Sequence, residues 1–128
     1  MQRYLRLAVA VLAGTLACGL PLWPIPYSQV SLPGNPSAGT WLATGALAGL
    51  VGGYLVRASF RAPTFAVAGG FVLAVMLRVF VETARDPTSH NLWPFEVVIA
   101  GGIGLVAAVV GVWVARLMQR NTRTTDGP

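Results

Sequence analysis

Arg78 and Glu82 stand four residues apart in a stretch that carries no other charge back to Ala62. On a helix that spacing brings a guanidinium and a carboxylate together. Two kinds of chemistry suit such a pair. It can be structural, neutralising itself and hydrogen-bonding nearby loops. Alternatively Glu82 is a titrating or cation-binding group that Arg78 holds ionised. Ionisable side chains at membrane depth are functional candidates by default, and here they stand close enough to a helix end to snorkel.

The segment from Arg78 to Glu96 concentrates the remaining polarity. It adds Arg85, Asp86, His90, Asn91 and Glu96, so three of the four acidic residues and the single histidine fall within it. Glu82, Asp86, His90 and Glu96 are chemically suited to a divalent cation, yet Pro87 breaks the register between Asp86 and His90 and no metal motif is matched. Simpler roles account for most of the set. Asp86, Thr88, Ser89 and Asn91 suit a turn and a helix cap. Glu96 suits the start of a helix, where the macrodipole favours an acid. His90 suits a solvated loop and changes charge near neutrality. There is no nucleophile elbow, paired metal-histidine motif, Cys-X-X-Cys or phosphate loop. We therefore expect no enzyme activity, metal or cofactor.

The elements that carry these residues are apolar. Of 128 residues 55% are hydrophobic and 10% charged, against about a quarter charged in a soluble domain. No charge occurs from Leu7 to Val56, from Ala62 to Leu77, or from Val97 to Ala115. The net charge of +5 comes from nine arginines that flank the apolar runs, which points to membrane topology and away from nucleic acid. The lone Cys18 excludes an intrachain disulfide and reads as a small buried hydrophobe.

The pattern predicts an all-α integral membrane protein, a four-helix transmembrane bundle in a single domain. Spans are expected at about 4–22, 39–56, 64–84 and 94–117, with a polar, frayed tail over 118–128. The first run resembles a signal peptide, with Thr15-Leu16-Ala17 as a weak cleavage site, but it continues through Leu22 and reads as a retained helix ended by Pro21 and Pro24. Five prolines from Pro21 to Pro36 forbid a continuous helix through the first connection. Pro63 is expected to open the third span, and Asp86-Pro87 to end it.

Small residues recur at helical spacing. Gly45, Gly49 and Gly53 share one face of the second span. Ala66, Gly70 and Ala74 lead on one row to Arg78 and Glu82, and Ala100, Gly104 and Ala108 form a row in the fourth span. Such rows let helix backbones approach closely, within one subunit or between copies.

Sidedness follows from counting arginines. Arg3, Arg6, Arg57, Arg61, Arg116, Arg120 and Arg123 fall on one side, and Arg85 alone on the other. The positive-inside rule puts both termini in the cytoplasm and the connections 23–38 and 86–93 outside. Trp23, Tyr27, Trp41, Trp93 and Phe95 would mark the outer interface, and Tyr4, Tyr54, Phe60 and Trp113 the inner one. A bacterial inner membrane is the expected location. The lipid bilayer is one partner, and another membrane protein or a second copy the other. A non-catalytic accessory, assembly or interaction subunit is the expected function. A homo-oligomeric channel or transporter with an Arg78/Glu82 polar path is the alternative, and a membrane enzyme using the outer acidic cluster a second.

Overall fold

A computed structural model describes residues 1–26, 34, 37–85 and 93–125; the side chains of 93 and 123–125 are outside this description. Four helices account for nearly all of it: α1 (Gln2–Leu22), α2 (Ala38–Leu55), α3 (Arg61–Arg85) and α4 (Trp93–Thr125). There is no strand among the described residues.

Three helices are long and apolar enough to cross a membrane: α1, α3 and the stretch Pro94–Thr122 of α4. The second helix is the exception. It carries no charge, but five of its 18 residues are glycine. Its rise of about 27 Å is also slightly short of a hydrocarbon core of about 30 Å.

Each helix packs chiefly on two others, in the ring order α1–α3–α4–α2. Tertiary contacts fix the directions. Val11, Gly14 and Thr15 of α1 meet Val67 and Gly70 of α3, and Leu22 meets Arg78. The pair α1/α3 is therefore parallel. By the same reasoning Ala46, Gly49 and Gly53 of α2 run alongside Ala108, Gly111 and Val112 of α4, another parallel pair. The two pairs point in opposite directions, since Trp41 and Thr44 at the start of α2 meet Cys18 and Ala17 near the end of α1.

Backbone sterics explain why each parallel pair is so close. A Cβ on Gly14 would overlap the Val67 carbonyl, and one on Gly70 would overlap the Val11 carbonyl. Likewise a Cβ on Gly111 would overlap the Ala46 carbonyl, and one on Gly49 would stand 2.7 Å from the Ala108 carbonyl oxygen. Only glycine permits such an approach. The expected rows at Gly45, Gly53, Gly70 and Gly104 are packed as well: added Cβ atoms would meet Ala107 at 2.6 Å, Ala115 at 2.8 Å, Val11, and Phe71 at 2.6 Å respectively. In contrast a Cβ added at Gly69 or Gly102 would meet nothing within 4 Å among the described residues.

The centre of the bundle is aromatic. Trp41 and Phe71 are fully buried, with ring centroids 6.0 Å apart and edge to face. The indole Nε1 of Trp41 donates to the Cys18 carbonyl at 3.2 Å. This corrects the expectation that Trp41 marks an interface, and the row explains it. Trp41 stands four residues before Gly45 on the same inward face as Gly49 and Gly53. The buried hydroxyls of Thr15 and Thr64 bond back to the carbonyls of Val11 and Phe60, each at 2.8 Å.

Helix limits differ from expectation at three points. Pro21 lies inside α1 and does not end it. Proline lacks an N–H, so the Ala17 carbonyl loses its usual partner; the hydroxyl of Thr44 donates to that carbonyl at 2.8 Å. Helix α3 begins at Arg61, with Pro63 in its first turn, and Ser59 Oγ accepts from the Ala62 N–H at 3.3 Å. Helix α4 runs on to Thr125, well past the apolar run, so the expected tail is helical over most of its length. Arg116, Leu117, Met118, Gln119 and Arg120 are good helix formers, and Arg116 is anchored on α2.

Candidate functional site

The Arg78 end is built where α1 stops. Pro24 and Pro26 supply no N–H, so the regular helical pattern cannot continue; the Leu22 carbonyl keeps a turn bond from the Ile25 N–H at 3.1 Å. Arg78 reaches across from α3 to this turn. Its Nη1 donates to the Leu22 carbonyl and its Nη2 to the Ile25 carbonyl. Its Nε donates to Glu82 Oε1 at 2.8 Å, an i, i+4 ion pair on α3. Each of the three guanidinium nitrogens is thus engaged. A cation against a helix C-terminus is also favoured by the macrodipole.

Burial gives this arrangement its weight. Arg78 is 7% exposed and is the one buried charged residue among those described. The carboxylate of Glu82 is partly open, with its side chain 25% exposed. Trp23 completes the corner: its ring lies over Gly19 and its Nε1 donates to the Ala74 carbonyl at 3.3 Å. A cavity of about 300 Å³ opens here, lined by Trp23, Leu77, Arg78, Val81, Glu82 and Arg85. Arg85 itself is exposed.

Of the other expected polar residues, Glu96 lies in the first turn of α4 and is half-buried. Asp86, His90 and Asn91 lie outside the described residues, so the acidic cluster that sequence spacing suggested is only partly described.

The opposite end holds a second arginine that sequence reasoning treated as a topological charge. Arg116 on α4 covers the C-terminus of α2. Its Nη1 donates to the Gly53 carbonyl at 2.8 Å; its Nη2 donates to the Val56 and Ser59 carbonyls at 2.8 and 2.7 Å. Gln119, one turn on, accepts from Arg116 Nη1 at 3.2 Å and donates to Gly53 at 3.4 Å. The signal in the sequence was the Arg116, Gln119 spacing of three, which puts both on one face.

Arg116 is only half-buried and has company. A cavity of about 300 Å³ is lined by Arg57, Phe60, Arg116, Gln119 and Arg120. A larger one, about 560 Å³, is lined by Arg3, Arg6 and Arg57 with Gln2, Leu55, Val56, Ala58 and Ser59. Arg57 borders both.

The chain matches no family model, no curated protein and no solved structure at a significant level. Its function must therefore be argued from these two ends.

Proposed function

We propose that the chain is a multi-pass protein of a bacterial inner membrane, with all four helices crossing the bilayer and both termini cytoplasmic, acting as a non-catalytic accessory, assembly or interaction subunit. The observation that carries the functional part is the engagement of Arg78. The one buried charge among the described residues joins the carbonyls of Leu22 and Ile25 to Glu82, which is an architectural use of polarity. The centre of the bundle is occupied by Trp41 and Phe71, so a polar route through a single copy would have to displace them. The excess of arginine at one end supports the sidedness, under the positive-inside rule.

The test is purification in mild detergent with mass spectrometry of what accompanies the chain. A second protein recovered reproducibly supports the reading; repeated recovery of this chain alone counts against it. Reporter fusions at each terminus check the sidedness, and an outward-facing terminus would overturn it.

One observation favours transport as a second reading: the cavity beside Glu82 gives its carboxylate access to the surroundings. In reconstituted vesicles, flux that disappears in Glu82→Gln would establish that reading. Flux unchanged by that substitution would remove Glu82 from any path.

A further inference from the structure

The arginine-rich end carries more positive charge than its architecture uses. Five arginines, Arg3, Arg6, Arg57, Arg116 and Arg120, line two adjoining cavities. Of these only Arg116 makes side-chain hydrogen bonds among the described residues, and both described acids, Glu82 and Glu96, lie toward the opposite end of the bundle. Guanidinium groups gathered with no acid beside them among the described residues repel one another, and an anion between them offsets that repulsion. The planar fork of arginine matches phosphate oxygens in bidentate geometry.

The lining is also amphipathic. Leu55 and Val56 share the larger cavity with Arg3, Arg6 and Arg57, and Phe60 shares the smaller one with Arg57, Arg116 and Arg120. A free inorganic anion has no use for apolar walls. A phosphodiester that continues into acyl chains has use for both, and basic pockets at the ends of membrane helices are suited to anionic headgroups. The volumes fall within or close to the range of small-molecule sites, about 300–1,000 Å³.

We propose that this end is a binding site for the phosphodiester headgroup of an anionic phospholipid, with Arg57, which borders both cavities, as its central contact. The inference rests on the membrane-spanning reading, and is tested in detergent so that the two can fail separately. Fusion reporters and membrane extraction address spanning; lipid titration of the solubilised protein addresses the site.

The experiment is native mass spectrometry of the full chain in nonionic detergent, titrated with phosphatidylglycerol, phosphatidylcholine or inorganic phosphate. Phosphatidylglycerol should bind in preference to phosphatidylcholine, and more weakly at high salt. Arg57→Gln should lower its affinity about fivefold, the contribution of one arginine at a charged lipid surface. Arg3→Gln should act in the same direction. Neither side chain makes a hydrogen bond among the described residues, so both variants should keep the thermal midpoint of the lipid-free protein. Arg85→Gln, at the other end, should leave lipid binding unchanged. Equal binding of the two lipids overturns the proposal, as does an Arg57→Gln variant with native affinity. Inorganic phosphate binding as tightly as phosphatidylglycerol would also overturn it, by assigning the site to a free anion.

Discussion

Arg78 and Arg116 do the same job at opposite ends of the bundle, in different surroundings. Each projects from the second helix of a parallel pair onto the final carbonyls of the first. Arg78 is buried and has Glu82 at 2.8 Å. Arg116 is half-buried and has Gln119, a neutral partner, at 3.2 Å. An uncompensated charge out of water is costly, and a paired one much less so. Depth thus decides whether the capping arginine needs an acid. Where the cation stays wet the acid is dispensable, and its positive charge is left for other uses.

The largest effect should come from Arg78→Gln. It removes the guanidinium from the Leu22 and Ile25 carbonyls and from Glu82, at a cost of about 3 kcal/mol. Folded yield in membranes should fall sharply, and Arg78→Gln with Glu82→Gln should recover part of it. Normal yield from each single variant would break the structural account of the pair.

The glycine seams test whether the two parallel pairs are equally tight. Gly14→Ala and Gly111→Ala each place a Cβ on a backbone carbonyl of the facing helix, which backbone relaxes only with difficulty. Each should cost about 1–3 kcal/mol, read as a lower thermal midpoint in detergent. Gly69→Ala and Gly102→Ala face open space and should be neutral or slightly stabilising, by up to about 1 kcal/mol. A seam variant as mild as these controls would show that its pair is loosely joined.

How much of this was legible follows from where the physics is local. The helices were readable because uncharged runs and prolines mark them directly. The Arg78–Glu82 pair was readable because its partners share one helix. Arg116 was not, since its carbonyl partners lie 57 to 63 positions away and an arginine after an apolar run has a ready topological explanation. The same applies to Gly14 and Gly111. Spacing shows which small residues share a face of one helix, while the tightest contacts are set by which helix faces it. Trp41 was misassigned from its nearness to a helix end, although its spacing from Gly45 pointed inward.

Arg116→Gln should fall below the seam variants or near them, at about 1–2 kcal/mol. Its carbonyl partners lie at a half-buried end, where water can replace part of the guanidinium, and no acid is stranded. A cost equal to that of Arg78→Gln would erase the difference in depth on which the comparison rests. Equilibrium unfolding in mixed micelles of both variants, measured side by side, checks it.

The smallest effect sharpens the account of how α1 ends. Thr44 Oγ1 has one proton and three carbonyls in reach: Ala17 at 2.8 Å, Thr40 at 3.0 Å and Trp41 at 3.4 Å. The Thr40 and Trp41 carbonyls lie within the helix α2 itself. The Ala17 carbonyl has lost its helical donor to Pro21, so the proton contributes most there. Thr44→Val should therefore cost about 1 kcal/mol in the native background. Pro21→Ala restores an N–H four residues after Ala17, and in that background the same substitution should cost less. A double-mutant cycle in detergent measures the difference. A coupling of zero would mean that the hydroxyl serves its own helix, and that the Ala17 carbonyl is satisfied some other way. A clear coupling would mean that α1 is closed at two successive levels by its neighbours, first by Thr44 of α2 and then by Arg78 of α3.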